Sequence, residues 1–279
     1  MSSTYFIKDL FLFLFFIFVL NACSTSSLDE RKIAEETEQQ LLVKDVKEEI
    51  SIGREMAAKL YGSFGEYEPK KALTYVNLVG KSLARQIGRP EITFRFGILD
   101  SDEVNAFATP GGYILLTKGL LKNLKSESEL AGVIAHEIAH VNAKHMYKEI
   151  APKRDVSKGE NVTRLLSRGG DNIGAALGKA VSEGMKKLLD QGLSPEKEFE
   201  ADTLAVMYSS ACGYNPKALI TVLERLKEQQ GLHVGKTHPS FDARIQKIEK
   251  EMKTNGIEAM VRGDQEVLLK RFLENLTVI

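Results

Sequence analysis

The chain has 279 residues, 43% of them hydrophobic, which is enough to bury a substantial core in one or two domains. Its 38 basic and 38 acidic side chains cancel, so no excess of positive charge indicates nucleic-acid binding. Two cysteines far apart in the sequence exclude a disulfide framework.

The N-terminus has the pattern of an export signal. Leu10–Leu20 is an unbroken apolar run of the length of a signal-peptide core and is too short to cross a bilayer. The following LNAC, residues 20–23, resembles the lipobox of bacterial lipoproteins, which implies cleavage before Cys23 and a lipid on its side chain. Ser24 stands where an aspartate would signal inner-membrane retention, so the resemblance to Gram-negative lipoproteins implies the periplasmic side of the outer membrane. An uncleaved anchor is the alternative, and it would also tether the domain to a membrane.

The sequence predicts three parts of the chain. These are a lipoprotein signal peptide over residues 1–22, a lipidated cysteine with a linker and the start of a helix over residues 23–45, and a single folded domain over residues 46–279. Within the last part, apolar residues at helical spacing predict helices over Glu48–Tyr61 and Pro69–Ile87, the second ending at Gly88. Both helices are expected to serve packing rather than chemistry.

A change of period predicts β-structure after the second helix. In Glu91–Asp100 every second residue is apolar, which is typical of a half-buried strand. Pro-Gly-Gly at residues 110–112 lies between two short β-prone runs. Because this is turn chemistry, it predicts a hairpin whose second strand is Tyr113–Thr117.

The segment Ala131–Val141 contains the motif His136-Glu137-x-x-His140. A spacing of four residues places both imidazoles on one helix face, about 5–6 Å apart at Cβ, where both can reach one zinc ion. Glu137 can then contact a metal-bound water without being a ligand itself. Surface histidines are the alternative, but the surrounding helix is apolar on nearly all sides, and buried histidines need partners.

The bounds of this helix can also be predicted. Ser126 and Glu129 form a capping box that places the N-terminus just ahead of Leu130. We expect the helix to continue to about Ile150 and to stop at Pro152.

The segment 153–192 is rich in glycine and basic residues, and it offers one helix, Ile173–Asp190. A lid, a membrane-facing loop and a disordered insertion are all compatible with its composition.

A zinc site needs a third protein ligand besides two histidines. Ala143 and Met146 stand where the HExxHxxGxxH class has glycine and histidine, which excludes that class. A helix predicted over Ser194–Gly213 offers three carboxylates. They belong to Glu196, Glu198 and Glu200. Glu198 has Asp202 one turn away on the same face, which suits a ligand with a second carboxylate that orients a histidine, although a solvated acidic face would look the same.

Five blocks of the sequence together resemble one family of peptidases. In chain order they are EISIGREMAAKLY, NAFATPGGYILLTKGLL, ELAGVIAHEIAHVNAKH, EKEFEAD and THPSFDARI. They are similar to the zinc metallopeptidases related to the CAAX prenyl endopeptidase and HtpX, and most to the periplasmic lipoprotein branch that includes BepA and LoiP. The predicted fold of residues 46–279 is therefore α+β: a mainly helical, zincin-type metallopeptidase domain with a small β-sheet or hairpin beside the active-site helix.

The resemblance also implies roles for individual residues. The implied ligands of one zinc ion per chain are His136, His140 and Glu198. Asp202 would lie behind the site, and His238 and Arg244 would lie near the metal, where the arginine would help to stabilise the oxyanion. His238 would either share that task or occupy a metal position in a latent state.

The hairpin has a further implied role. In zinc peptidases of this type, an edge strand beside the metal pairs with the extended substrate backbone. The residues predicted to bind substrate in this way are Asn105, Ala106, Phe107 and Ala108. Plain sheet structure explains the same pattern equally well.

The C-terminal part is predicted to contain three single helices. They are Tyr214–Gln230, Phe241–Met252 and Gln265–Leu276. They lack the period of the helical repeats found in BepA-type proteins. His145 and His233 are assigned no site role, and Cys212 is expected to be an ordinary buried thiol.

Together these features predict a zinc-dependent metalloendopeptidase that cleaves periplasmic or misfolded outer-membrane proteins in envelope quality control. Glu137 would be the general base. The alternative is a latent protease that acts mainly as a chaperone-like assembly factor, with His238 as a fourth metal ligand. The expected partners are unfolded proteins and, through the lipid, the membrane, whereas nucleic acid is not expected and the oligomeric state stays open.

Overall fold

The computed structural model describes residues 42–43, 45–150, 172–229, 240–257 and 265–276. It forms two compact units, Met1–Glu48 and Glu49–Ile279. The described residues of the first unit are helical. The signal peptide and Cys23 lie outside the described residues, so the division of the chain at residues 22 and 45 stays a prediction.

The second unit is mainly helical in the ranges that the structure describes. Its helices are α1 (45–64, of which 49–64 belong to this unit), α2 (Lys70–Ile87), α3 (Lys118–Asn123), α4 (Glu127–Asn142), α5 (His145–Ile150), α6 (Asn172–Gln191), α7 (Pro195–Ala211), α8 (Ala218–Glu228), α9 (Phe241–Thr254) and α10 (Gln265–Leu276). Its strands are β1 (Arg95–Leu99), β2 (Ala106–Thr109) and β3 (Tyr113–Thr117). This composition confirms the predicted α+β, mainly helical fold. Among the described helices, none combines the length and the apolar character that a membrane span requires.

The three strands form one sheet in the order β1-β3-β2. β1 runs parallel to β3, whereas β2 and β3 form the predicted antiparallel hairpin, in which Phe107 lies opposite Leu115. Gly111 and Gly112 turn the chain with φ angles of 72° and 88°, a region in which L side chains are strained. β2 therefore lies at an edge of the described sheet.

A close backbone contact holds the hairpin against α1. The hydroxyl of Thr109 donates to the carbonyl oxygen of Gly53 at 3.0 Å. A Cβ on Gly53 would lie 1.5 Å from the carbonyl oxygen of Pro110, so only glycine permits the approach.

β1 confirms the predicted strand over the shorter range Arg95–Leu99, but the prediction that this strand is half-buried is wrong. Burial alternates only up to Arg95, and the remaining residues of the strand are buried whichever way they face. α2 packs on the predicted apolar face, where Gly80 lies against the ring of Phe96. The second face is covered because α1 packs on it: a Cβ on Gly97 would overlap the Tyr61 hydroxyl oxygen, and Leu99 lies in one buried cluster with Met56.

The helix that carries the His-Glu motif begins as predicted. Ser126 is its N-cap, and the Ser126 hydroxyl accepts from the backbone N–H of Glu129 at 3.2 Å. Every residue from Glu127 to Val141 is buried. At the first turn, the Glu127 carboxylate accepts from the Tyr75 hydroxyl at 2.6 Å and from Arg271 of α10 at 2.6 Å, so the start of α4 is fixed by two other helices.

The same helix does not continue to Ile150, and that prediction is wrong. α4 ends at Asn142, Lys144 adopts a left-handed φ of 56°, and α5 begins at His145. Such a conformation costs a residue other than glycine about 1 kcal/mol. The Lys144 ammonium lies 3.8 Å from the buried carboxylate of Glu49, a contact between residues distant in sequence.

The bounds of the later helices agree more closely with the predicted ones. α6 confirms the helix predicted over Ile173–Asp190, while residues 153–171 lie outside the described residues. α8 begins at Ala218 rather than Tyr214, because the turn at Asn215 and Pro216 precedes it.

Two hydrophobic clusters flank the His-Glu helix in the described residues. The first joins α1, the sheet, α5 and α6 through residues such as Met56, Leu115, Met146 and Val181. The second joins α4, α7, α8 and α9 through residues such as Ala135, Ala205, Leu223 and Ile248. The second cluster packs α7 and α9 against α4, which positions the side chains of the site.

Candidate metal centre

Helices α4 and α7 bring the three predicted ligands together. The Nε2 atoms of His136 and His140 lie 3.0 Å apart. From the first turn of α7, Glu198 places one carboxylate oxygen 3.6 Å from His136 Nε2 and the other 3.4 Å from His140 Nε2. All three side chains are buried.

These separations fit a single metal ion. Metal–ligand bonds of about 2.0–2.1 Å at tetrahedral angles, as zinc forms, place neighbouring ligand atoms about 3.3 Å apart. The measured separations of 3.0 to 3.6 Å lie on both sides of that value. The three side chains can therefore hold one metal ion without rearrangement of α4 and α7.

The buried charges around this position also fit a divalent cation. The carboxylates of Glu137, Glu198 and Asp202 and the guanidinium of Arg244 are all buried. In their ionised forms, three negative charges and one positive charge leave an excess of two negative charges. Buried charge without compensation is costly, so a divalent cation at the ligand position would balance the site.

Asp202 contacts His136 on the side away from the other ligands, and Arg244 binds Asp202. Asp202 Oδ1 lies 3.0 Å from His136 Nδ1. Arg244 of α9 donates to Asp202 through Nε at 2.8 Å and through a terminal nitrogen at 2.7 Å. Although burial opposes ionisation, this guanidinium holds the pKa of Asp202 well below its usual range.

The same carboxylates attract positive charge to His136. Burial lowers the pKa of His136, but the hydrogen bond to Asp202 and the contact with Glu198 outweigh burial and raise it to about 10. A metal ion at Nε2 can supply this positive charge in place of a proton.

Glu137 lies on the cavity side of α4. It lines an open cavity together with His136 and Arg244. The carboxylate therefore lies beside the ligand group and faces the space that a substrate would enter.

The predicted substrate-binding residues divide between two environments. Asn105 and Ala106 line the same cavity as Glu137. The side chain of Phe107 is buried in the first cluster, with its ring centroid 5.8 Å from that of Phe64. Ala108 faces the opposite side of the strand from Phe107 and lines a small pocket with His140. Edge strand β2 thus passes the site, and its pairing with substrate stays a prediction.

The structure places one residue at the site to which the sequence assigned no role. The ring of His145 is buried, and its Nδ1 lies 2.9 Å from Nδ1 of His140. Its Nε2 lies 3.3 Å from a carboxylate oxygen of Glu200. Burial lowers the pKa of His145 despite that carboxylate, so the ring is neutral near neutral pH. On an unbroken helix the two rings would diverge, so only the break after α4 reveals the contact.

The remaining site predictions concern other parts of the chain. His238 and His233 lie outside the described residues. Arg244 uses two of its nitrogens on Asp202, and its third lies 3.8 Å from Glu198, so it contacts one candidate ligand and the carboxylate behind His136. Its role at the oxyanion stays a prediction. Cys212 is only half-buried, and burial raises the pKa of its thiol.

Comparison with known proteins places this site in a wider context. Residues 70–252 match the sequence pattern of peptidase family M48. The β-barrel assembly-enhancing protease of Escherichia coli (strain K12) is 29% identical over 213 residues, which cover 70% of this chain and 43% of that protein. The mitochondrial metalloendopeptidase OMA1 of Schizosaccharomyces pombe is 33% identical over 184 residues, which cover 63% of this chain and 51% of that protein.

A shorter relative is matched over more of its length. The metalloprotease LoiP of Escherichia coli (strain K12) is 27% identical over 193 residues, which cover 68% of this chain and 72% of that protein. By contrast, the chain spans about half the length, or less, of the first two relatives. The similarity therefore concerns only a part of those two proteins.

The ligand group predicts a contrast between two glutamates of α7. Glu198→Gln should weaken zinc binding more than about 100-fold, because even residues behind a ligand contribute about 10–100-fold. Glu196→Gln, an exposed residue two positions away, should leave the affinity unchanged. Competition with a chromogenic chelator measures both affinities, and equal affinities in the two variants would remove Glu198 from the ligand set.

Proposed function

This chain belongs to peptidase family M48, and we propose that it is a zinc-dependent endopeptidase. The observation that carries the proposal is the buried group of two imidazoles and one carboxylate. Its spacing suits tetrahedral zinc, and a carboxylate on the next residue of the helix faces an open cavity. Two neutral nitrogen ligands with one oxygen ligand are a donor set that zinc accepts in catalytic sites.

The residues of the chain have separate tasks in this proposal. His136, His140 and Glu198 would hold the zinc ion, which when bound would supply Lewis-acid chemistry to lower the pKa of water and polarise the scissile carbonyl. The carboxylate of Glu137 accepts the proton of the attacking water and delivers it to the leaving amine. Asp202, itself held by Arg244, keeps the His136 ring in the orientation that aims Nε2 at the ligand position.

The role of Glu137 can be tested without loss of the metal. Glu137→Gln should keep the fold and bind zinc, yet hydrolysis of unfolded casein should fall by about 10²–10⁴-fold, because the amide cannot accept the proton. The exposed Glu196→Gln serves as the matched control and should cleave at the normal rate. A chelator should abolish cleavage by the unsubstituted chain. Normal turnover by Glu137→Gln would refute the assignment.

We propose that the cavity beside Glu137 receives an apolar side chain of the substrate next to the scissile bond. Apart from the polar site residues, its lining is almost entirely hydrophobic. The apolar residues are Leu120, Val133, Leu219, Val222, Leu223, Leu226 and Phe241, with Val104 and Ala106 at the β2 side. Such a lining would leave a charged side chain without partners.

A peptide series tests this preference. Peptides with leucine beside the scissile bond should be cleaved with a kcat/KM at least about tenfold higher than peptides with alanine there. The reason is that burial of a leucine side chain contributes about 1.5–3 kcal/mol, and about 1.4 kcal/mol is a factor of ten in rate.

A pair of variants controls for indirect effects. Leu226→Lys introduces a charge at the cavity and should reduce the preference for leucine. Leu78→Lys changes a leucine on α2 that is 66% exposed, and it should leave the preference intact. No difference between leucine, alanine and aspartate peptides would contradict the assignment of the cavity.

In the cell, we propose that the chain acts from a lipid anchor at Cys23 on the periplasmic side of the outer membrane. The support is the apolar run Leu10–Leu20 with the lipobox-like residues 20–23 and Ser24 behind them. One relative is a β-barrel assembly-enhancing protease. By similarity to it, the proposed substrates are misfolded outer-membrane proteins, cleaved in envelope quality control.

Fractionation of cells tests the anchor and the substrates together. Cys23→Ser should abolish lipid labelling and move the protein from the outer-membrane fraction, because the acyl chains supply the membrane affinity. Clearance of a misfolded outer-membrane protein in the same cells should fall. If Cys23→Ser stays in the outer membrane without lipid, the anchor is elsewhere. If clearance also needs no Glu137, the protein acts on these substrates by other means than proteolysis.

A further inference from the structure

We propose that His145 is a positioning residue of the metal centre, which accepts the Nδ1 hydrogen of His140 and so aims His140 Nε2 at the metal. The inference rests on the proposed zinc site. The two observations that carry it are the separation of 2.9 Å between the Nδ1 atoms and the burial of both rings.

The hydrogen positions follow from the metal. A ligand nitrogen uses its lone pair, so a neutral His140 that binds through Nε2 carries its hydrogen on Nδ1. The atom that faces this donor is Nδ1 of His145, which must then supply a lone pair. His145 in turn carries its hydrogen on Nε2, and that atom faces a carboxylate oxygen of Glu200 at 3.3 Å. From the metal to Glu200, the hydrogens therefore lie on Nδ1 of His140 and on Nε2 of His145.

The fold contains a specific feature that creates this contact. On a continuous α-helix, residues five positions apart differ in direction by about 140°, so His145 could not face His140. The left-handed Lys144 redirects the chain between α4 and α5. Its ammonium lies 3.8 Å from Glu49 and 5.9 Å from the ring centroid of Tyr147. Backbone strain that the surroundings maintain is common where a structure serves a site.

A neutral partner for His140 also agrees with the charges of the site. His136 already has a carboxylate, Asp202, behind it. A second buried carboxylate at the position of His145 would add a negative charge that the divalent cation and Arg244 do not balance. The imidazole instead accepts the hydrogen bond without adding charge, and the carboxylate beyond it, Glu200, is largely exposed to solvent.

Two substitutions separate positioning from packing. In His145→Asn, the amide oxygen takes the place of Nδ1 and can accept from His140. In His145→Leu, a side chain of similar size has no acceptor. With zinc alone as the probe and the full chain as the protein, the leucine variant should bind about 10–100-fold more weakly. The asparagine variant should recover most of the affinity.

A spectroscopic measurement gives a second signature. Cobalt(II) in place of zinc reports ligand geometry through its visible absorption. We expect His145→Leu to alter this spectrum, and His145→Asn to restore it. The melting temperature of the metal-free protein should be similar in the two variants, since both keep the site filled.

The outcomes decide the proposal as follows. If both variants lower only the melting temperature of the metal-free protein and bind zinc normally, His145 is structural and the proposal is wrong. If His145→Leu does not fold, His145→Gln replaces it, because its amide reaches the position of Nε2 rather than Nδ1, and normal zinc affinity in that variant would overturn the proposal. Failure of the unsubstituted chain to bind zinc would refute the metal centre itself. Zinc binding without casein cleavage would refute only the proposed activity.

Discussion

The buried ion pair between Asp202 and Arg244 is the interaction on which the site depends. Asp202 accepts two hydrogen bonds from Arg244 and lies 3.0 Å from His136, so one side chain connects α4, α7 and α9. Removal of either charge would leave the other buried without its main partner, which is strongly unfavourable. The position of the candidate metal ligands is therefore fixed by a contact between residues far apart in sequence.

Local sequence is sufficient where the chemistry is local. The spacing of His136 and His140, the N-cap at Ser126 and the Pro-Gly-Gly turn at residues 110–112 each depend on residues a few positions apart, and the structure has the helix and the hairpin that they predict. The fold class followed from these elements and from the five blocks that resemble a known family.

The predictions that are wrong or incomplete concern features that depend on contacts between residues far apart in sequence. The sequence offers Glu196, Glu198 and Glu200 and favours Glu198 because Asp202 follows one turn later, but a solvated acidic face would look the same. Only the packing of α7 on α4 shows that Glu198 turns inward. The end of α4 differs from the prediction because the chain turns at the left-handed Lys144, whose ammonium lies 3.8 Å from the distant Glu49. The burial of β1 exceeds the prediction because α1 covers its second face. The contact between His140 and His145 depends on the same turn at Lys144, so the sequence alone does not predict it.

The two imidazoles of the motif have their outer contacts in different halves of the hydrophobic interior. His136 is connected through Asp202 to α7 and α9, which belong to the second cluster, whereas His140 is connected through His145 to α5, which belongs to the first. A shared ion would therefore bridge the two clusters as well as activate water. By thermodynamic linkage, a conformational change that separates the clusters would weaken metal affinity by some factor. A bound metal would reduce the equilibrium constant for that change by the same factor.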